Sequence, residues 1–204
     1  MNMEYRYGSR ESFERALIQA VNESKGKLIF LSLASSMEQA KDFAGAESLF
    51  EKALKRPQFR KSKKVWMAYH ALKLHQQDIA GAKAQLSRAL QALAPHKHVV
   101  VIRHFAMMEF DTGAVDRGRV LMEELLSSYP KRNDLWTVYV DKEVKLGNVV
   151  PARQLFERMI ALKVSPKVMK TVFKKYLLFE NKYGDERSQE LVKQKARDYV
   201  SSIA

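Results

Sequence analysis

The sequence predicts an all-α protein built from stacked antiparallel helical hairpins. Three observations support this prediction: an internal repeat, helical spacing within the repeat, and glycines at its internal boundary. Copies of the repeat begin at Phe30, Trp66, Ile102, Trp136 and Phe173, so successive copies start 36, 36, 34 and 37 residues apart. A period of this length is typical of helical hairpins, each of which buries its apolar face only against its neighbours.

Apolar and small residues recur at fixed positions within the repeat. The clearest copy opens in YPKRNDLWTVYVDKEVKLGN, residues 129–148. Counted from Trp136 as position 0, its marked residues are Tyr139 at +3, Glu143 at +7, Gly147 at +11, Ala152 at +16, Arg153 at +17, Phe156 at +20 and Glu157 at +21. Intervals of three and four residues place side chains on one face of a helix. The apolar and small positions hold in the first four copies. The fifth copy loses the pattern after Gly184 and is predicted to end in a capping helix.

Each copy divides into a first helix, A, and a second helix, B. Gly113, Gly147 and Gly184 are predicted to end A helices, because a left-handed closing residue favours glycine. The segment VVVIRHF, residues 99–105, favours a strand locally because it is rich in β-branched residues. Its register with the other A helices predicts a helix instead.

The chain is predicted to be a single domain, residues 1–204. Its predicted parts are a partial repeat at 1–25, four repeats at about 26–60, 61–96, 97–131 and 132–165, and a C-terminal repeat with its cap at 166–204. No stretch of linker-like composition interrupts the array.

The composition narrows the class of partner. The formal net charge is +13, from 36 Lys and Arg against 23 Asp and Glu, and such an excess favours polyanionic partners: RNA, DNA or acidic protein surfaces. There is no cysteine, which excludes a disulfide scaffold, a thiolate metal site and a cysteine nucleophile. Neither a signal peptide nor an apolar run of about 20 residues is evident, so no membrane partner is expected.

The sequence contains no motif that indicates an enzyme active site. The histidines are His70, His75, His96, His98 and His104, and they form no HExxH motif and have no acidic partners at ligand spacing. The glycines are scattered and form no phosphate-binding loop. We therefore expect no catalytic residue, no metal site and no cofactor, and the chain is not predicted to be an enzyme.

Basic residues are the candidates for binding RNA phosphates or an acidic partner. The densest segment is KRPQFRKSKK, residues 55–64, with six basic residues in ten, and it is predicted to be a loop between a B helix and the next A helix. The candidates are Lys55, Arg56, Arg60, Lys61, Lys63, Lys64, Lys131, Arg132, Lys167, Lys170, Lys174 and Lys175. Any single lysine of this set is more simply interpreted as solvating a surface. For the dense segment, both interpretations stay open.

Aromatic residues could stack on exposed RNA bases or pack the repeats together. Their helical spacing favours packing. The predicted packing residues are Trp66, Tyr69, Phe105, Trp136, Tyr139, Phe156, Phe173 and Tyr176.

Opposite charges at +7 and +17 suggest an ion pair between the A and B helices of one hairpin. These positions hold Glu143 and Arg153 in one copy, and Glu109 and Arg119 in another. An exposed pair of this kind would contribute about 0 to 1 kcal/mol.

The pattern of Trp, Tyr, Glu and Gly followed by Ala-Arg-x-x-Phe-Glu-Arg resembles the HAT ("half a TPR") repeat. The chain from about Tyr7 to Val200 is also similar to the C-terminal HAT-repeat domain of ribosomal RNA biogenesis factors of the RRP-five type, and the similarity is densest from Pro130 to Asp185. This resemblance implies a right-handed α-solenoid of HAT/TPR-like antiparallel helical hairpins.

The resemblance also implies a function. We expect a non-catalytic scaffold of the nucleus and nucleolus that supports pre-rRNA processing and small-subunit assembly. Its expected partners are pre-ribosomal proteins, with pre-rRNA or snoRNP RNA contacted directly or indirectly. The alternative is a HAT-repeat scaffold of splicing or mRNA 3'-end processing that acts through protein contacts and self-association; the sequence leaves self-association open.

Overall fold

The structure is a computed structural model that describes residues 26–203. In this range the chain forms α-helices and no β-strand. The helices are α1 (Gly26–Gln39), α2 (Phe43–Leu54), α3 (Pro57–Arg60), α4 (Lys63–His75), α5 (Ile79–Ala92), α6 (His98–Asp111), α7 (Val115–Ser128), α8 (Asn133–Lys145), α9 (Val149–Ile160), α10 (Pro166–Tyr183) and α11 (Glu186–Ile203). One turn of 3₁₀-helix, Pro95–Lys97, precedes α6. The predicted partial repeat, residues 1–25, lies outside the described residues.

The helices pack in pairs that are adjacent in sequence. The chain divides into two compact units, residues 1–118 and 119–204. In the first unit α1 packs on α2 and α4 on α5, and in the second unit α8 packs on α9 and α10 on α11. The prediction of an all-α helical-hairpin protein is confirmed, and residues 99–105 are helical within α6. The right-handed twist and the single domain of residues 1–204 stay predictions. Within residues 26–203, no helix is long and apolar enough to cross a membrane.

Four A helices end in the same way, at repeat position +11. The residue there has positive φ in each case: Lys41 (60°), Gln77 (58°), Gly113 (84°) and Gly147 (77°). The next residue donates its backbone N–H to the carbonyl at +7, over 2.9 to 3.0 Å. This bond is the long one of a Schellman-type closure, which satisfies a carbonyl at the helix end.

The prediction for Gly184 is wrong in its geometry. Gly184 follows α10 but has φ −106° and ψ −168°, which is extended backbone. The next helix begins only two residues later, where the Asp185 side chain accepts a hydrogen bond from the Ser188 N–H over 2.7 Å. The chain therefore passes directly into a capped helix without a left-handed residue.

Aromatic rings join neighbouring hairpins. The Phe50 and Tyr69 rings lie parallel with centroids 4.8 Å apart, and so do those of Phe156 and Tyr176. In both pairs, position +20 of one hairpin meets position +3 of the next. The Tyr69 hydroxyl also donates to Glu51 over 2.7 Å, and burial together with this carboxylate raises the tyrosine pKa above its ordinary value.

Ion pairs join the same hairpins, and here the predicted pairing is wrong. Arg153 does not pair with Glu143 of its own hairpin; its Nε lies 2.7 Å from Oε1 of Glu180 in the next hairpin. Glu143 instead receives Arg119 of the preceding hairpin, with Nε–Oε1 at 2.8 Å and Nη2–Oε2 at 3.0 Å. Position +17 faces position +7 of the following hairpin, because each B helix packs beside the next A helix.

Glu109 departs from the prediction in a second way. Its carboxylate pairs with Arg117 over 2.6 Å and not with the predicted Arg119. Arg117 lies at +15 of the same hairpin, so this contact is a local one and not a link to a neighbour.

One junction has the same geometry with the charges exchanged. Lys73 occupies +7, and its ammonium lies 2.6 Å from Glu47, which occupies +17 of the preceding hairpin. Asp78 lies 3.0 Å from the same ammonium. The two positions therefore carry opposite charges at this junction too, with the polarity reversed.

A double-mutant cycle tests the pairing between hairpins. The Glu143 side chain is 0% exposed and that of Arg119 is 31% exposed, so loss of either partner leaves a poorly solvated charge. We expect Arg119→Met and Glu143→Gln to be coupled by about 1 to 3 kcal/mol in urea unfolding. Glu143→Gln and Arg153→Met serve as the control cycle and should couple by less than about 0.5 kcal/mol. Equal coupling in the two cycles would contradict the assignment.

A glycine substitution tests the helix closure. Gln77 has a φ of 58°, which is unfavourable for a side chain with Cβ. We expect Gln77→Gly to raise the free energy of unfolding by about 0.5 to 1 kcal/mol, since glycine adopts this conformation without strain. The neighbouring Gln76, with φ −75°, is the matched control. Gln76→Gly should lower stability by about as much, and a loss in both variants would rule out the explanation.

Candidate nucleic-acid interface

The basic segment, residues 55–64, is not the predicted loop. Residues Pro57–Arg60 form α3, and Phe59 is buried with its ring centroid 5.1 Å from that of Phe30. The Trp66 indole N–H donates to the Arg60 carbonyl over 2.7 Å. An apolar anchor and a buried hydrogen bond therefore fix the backbone of the segment on both sides of Arg60. The prediction failed because Phe59 lies outside the repeat positions, and six basic residues conceal its apolar contribution.

The fixed backbone presents most of its charges to solvent. Lys55, Arg60, Lys61, Lys63 and Lys64 are exposed, whereas Arg56 is half-buried. Lysine and arginine stems can lie along apolar surface while their charged ends stay in water. The segment is thus folded, and five of its six basic side chains are exposed.

Three of these lysines line a concavity of about 620 Å³ in the first unit. Its lining residues, which we call the lysine groove, are Lys27, Leu28, Leu31, Lys61, Ser62, Lys63, Lys64, His96, Lys97 and Val100. They come from α1, the beginning of α4, and the turn that leads into α6. Among the described residues that line the groove there is no carboxylate.

Sequence reasoning missed three members of the groove: Lys27, His96 and Lys97. Their signal was the repeat itself, since Lys27 lies at −3 like Lys63, and Lys97 lies at −5 like Lys61. The Lys97 ammonium donates to the Lys61 carbonyl over 2.9 Å and so links the two equivalent positions. The lysines before the start of each copy therefore recur in register with the repeat.

The remaining predicted cations lie in the second unit, and two of them already have acidic partners. Arg132 forms two hydrogen bonds of 2.7 Å with Asp134, and this contact raises the pKa of the guanidinium. Lys175 is half-buried with its ammonium 3.3 Å from Asp141. The other candidates there are exposed: Lys131, Lys167, Lys170 and Lys174.

The aromatic residues predicted to pack the repeats lie mostly inside. Seven are buried: Trp66, Tyr69, Phe105, Trp136, Tyr139, Phe156 and Tyr176. Phe173 is half-buried, with its ring centroid 5.9 Å from that of Tyr199. Buried rings cannot stack on an RNA base without unfolding of the hairpins.

Paired helices with repeated contacts between hairpins define a helical-repeat protein of the hairpin class. No protein-family model matches the chain. The chain is 39% identical to "Protein RRP5 homolog" of Mus musculus over 99% of its own length, and 40% identical to the Homo sapiens protein of the same name, also over 99%. It spans 11% of each of those relatives. The chain is therefore a homologue of one segment of the RRP5 family.

A more distant similarity is to a splicing protein. "Pre-mRNA-splicing factor cwf4" of Schizosaccharomyces pombe is 31% identical over 72% of this chain and 22% of its own length. This similarity covers less of the chain at lower identity than the RRP5 relatives do.

Among the histidines, His70 is the one that is deeply buried. Its ring stacks on Phe105 with centroids 3.7 Å apart, and Nε2 lies 3.7 Å from Glu109, which is beyond hydrogen-bond distance. Burial lowers the His70 pKa to about 4, and the charges of His104 and Arg117 act in the same direction. Within residues 26–203, no three His, Asp or Glu side chains lie close enough to hold a metal ion.

The buried histidine predicts a loss of stability in mild acid. The unfolded chain takes up a proton near pH 6.5 and the folded chain only near pH 4, so protonation favours unfolding between these values. His70 then contributes up to about 3 kcal/mol of destabilisation at pH 4, and none above pH 7. In urea unfolding across this range, His70→Leu should show a flatter pH dependence than the wild type. Parallel curves for the two proteins would be incompatible with this pKa.

Proposed function

We propose that the chain is a non-catalytic scaffold in ribosome biogenesis, which supports pre-rRNA processing and small-subunit assembly. The observation that carries the proposal is the 39 to 40% identity to RRP5 proteins over 99% of the chain. One such relative, from Arabidopsis thaliana, bears the name "rRNA biogenesis protein RRP5". Because the chain spans about a tenth of these proteins, the proposal concerns what this one segment contributes to their work.

The state of the ionisable groups supports a scaffold. Glu143 and Glu180 are buried, but each is bound by an arginine from the preceding hairpin. A buried lysine, Lys73, is likewise held by two carboxylates. Groups of this kind serve as acids and bases in enzymes when they face a cleft, and here they hold helices together. These buried charges therefore stabilise the packing of one hairpin against the next.

The expected partners follow from the same proposal. Pre-ribosomal proteins would dock on the extended surfaces of the hairpins, and the basic residues would contact pre-rRNA or snoRNP RNA. The exposed cations are suited to phosphate contacts, which position a protein on RNA without reading its sequence. The location that fits these partners is the nucleus, and within it the nucleolus.

The second candidate function is a scaffold in splicing. The similarity to the splicing factor cwf4 favours it, at 31% identity over 72% of the chain. Hairpin packing serves either role, so the two candidates differ in the RNA and proteins that surround the chain.

Crosslinking in cells distinguishes the two candidates. The tagged chain would be crosslinked by ultraviolet light and its bound RNA sequenced, and its protein neighbours would be identified after native purification. We expect precursor rRNA and pre-ribosomal proteins. Recovery of spliceosomal small nuclear RNA in their place would favour the alternative, and recovery of neither would refute both.

The matched control is the variant Arg119→Glu. It places two carboxylates together at the buried Glu143 and should disrupt the junction between hairpins. If contacts depend on the folded scaffold, this variant should lose its pre-ribosomal proteins while its net charge falls by only two.

A further inference from the structure

We infer that the lysine groove of the first unit binds the phosphate backbone of single-stranded RNA. The choice of RNA as the polyanion rests on the proposed function. The groove itself rests on its charge, its position and its fixed geometry. It contains Lys27 and Lys97, which lie outside the dense basic segment, and it excludes Lys55 and Arg56 of that segment.

The charge of the groove is of one sign. Five of its ten lining residues are lysines, and none is acidic. Within residues 26–203, Lys27, Lys63 and Lys64 make no ion pair, and all three are exposed. Like charges around a concave surface concentrate the positive field inside it, which raises the local concentration of an anionic ligand.

A second concavity does not share this excess of unpaired positive charge. It lies in the second unit and is lined by Arg119, Glu123, Arg153, Glu157 and Arg158 among others. Its arginines are bound to carboxylates: Arg158 to Glu123, Arg153 to Glu180 and Arg119 to Glu143. The positive charges of that surface are therefore paired with carboxylates, whereas no carboxylate among the described residues lines the lysine groove.

The lysines recur from one hairpin to the next. Lys61 and Lys97 occupy −5, and Lys27 and Lys63 occupy −3. Neighbouring packed helices lie about 8 to 10 Å apart, so we expect the lysines at the start of successive A helices to be spaced by about that distance. A single RNA strand carries one phosphate per nucleotide and bends freely, so it can bring successive phosphates to lysines spaced in this way.

Three of the lining residues are apolar. Leu28 is 62% exposed, and Leu31 and Val100, which are half-buried, also line the groove. Apolar side chains can contact ribose and base faces without preference for a base. A duplex keeps its bases paired inside a wide, stiff helix, so the groove favours a single strand, whose bases are free to make such contacts.

Three contacts fix the backbone around Arg60 and Lys61 before any ligand binds. Phe59 is buried, Trp66 holds the Arg60 carbonyl over 2.7 Å, and the Lys97 ammonium holds the Lys61 carbonyl over 2.9 Å. The backbone of residues 59–61 therefore needs no ordering when RNA binds. Preorganisation of this kind strengthens binding, because the entropy of ordering has already been lost in folding.

The test compares two triple variants of the full chain. The groove variant is Lys27→Gln, Lys63→Gln, Lys64→Gln, and the control is Lys83→Gln, Lys145→Gln, Lys163→Gln, which removes three equally exposed lysines elsewhere. Fluorescence anisotropy with a short oligouridylate gives the affinity over a range of salt concentrations. Each phosphate contact on a single strand contributes about 0.7 to the slope of log K against log salt, so the groove variant should lose about 2 from this slope. The control should stay near the wild-type slope. Circular dichroism establishes that both variants are folded.

Three outcomes of the binding measurements would overturn the inference. The first is an equal slope for the wild type and the groove variant. The second is equal affinity for a duplex of the same length, which would exclude recognition of a single strand. The third is equally strong binding of a polyglutamate peptide of the same charge, which would assign the groove to acidic proteins. If precursor rRNA crosslinks to the wild-type chain in cells and equally to the groove variant, the inference fails while the proposed function stands.

Discussion

The structure depends on one constraint that holds at three junctions between hairpins: the buried charge at position +7 pairs with an opposite charge at position +17 of the preceding hairpin. Glu109, which also lies at +7, is bound instead by Arg117 of its own hairpin. Glu143 is fully buried, and a carboxylate in that state is tolerated only when a cation and further hydrogen bonds compensate the lost hydration. Arg119 supplies the cation and Asn148 donates a further hydrogen bond over 2.7 Å. Alone, the hairpin that contains Glu143 would leave this carboxylate without its arginine, so its buried charge is compensated only beside the preceding hairpin. Lys73 and Glu47 satisfy the same constraint with reversed signs, which shows that complementarity matters and polarity does not.

A second set of contacts uses the remaining charges of the B helices. Position +22 of a hairpin binds the glutamate at +21 of the preceding one, as in Arg88 with Glu51 and Arg158 with Glu123. The same arginines lie over the tryptophans of their own hairpins, 4.8 Å from ring centroid to Cζ in the case of Arg158 and Trp136. These contacts consume carboxylates at the junctions between hairpins. Within residues 26–203, exposed lysines without such partners include those at the beginnings of A helices, Lys27, Lys63 and Lys64.

The period, the helix pairs and the positions of the packing residues could be predicted from the sequence, because each is a local property repeated along the chain. The partner of Arg153 could not, since the sequence gives its position in a hairpin but not which hairpin lies beside it. Phe59 was missed for a related reason: it lies at −7, and the aromatic residue at −7 of another copy, Tyr129, is 42% exposed, so the sequence does not show that a ring at this position is buried. The lysine groove could not be predicted from the sequence. Lys27 and Lys97 are isolated from Lys63 along the chain, and they line the same groove only when three hairpins are folded together.

The packing contacts explain the fold but cannot explain what the chain binds. Stacked rings and charges at +3, +7, +17, +20 and +21 serve any array of helical hairpins, whether its partners belong to pre-ribosomes or to spliceosomes. A difference in function must therefore be carried by residues outside those positions. Of the lysines at −5 and −3, Lys27 and Lys63 have this property most clearly: they are exposed and take no part in the ion pairs between the described hairpins. The Lys97 ammonium differs, because it is bound to the Lys61 carbonyl. The placement of these lysines at a fixed edge lets a rigid scaffold acquire or lose an RNA contact without any change in the way its hairpins stack.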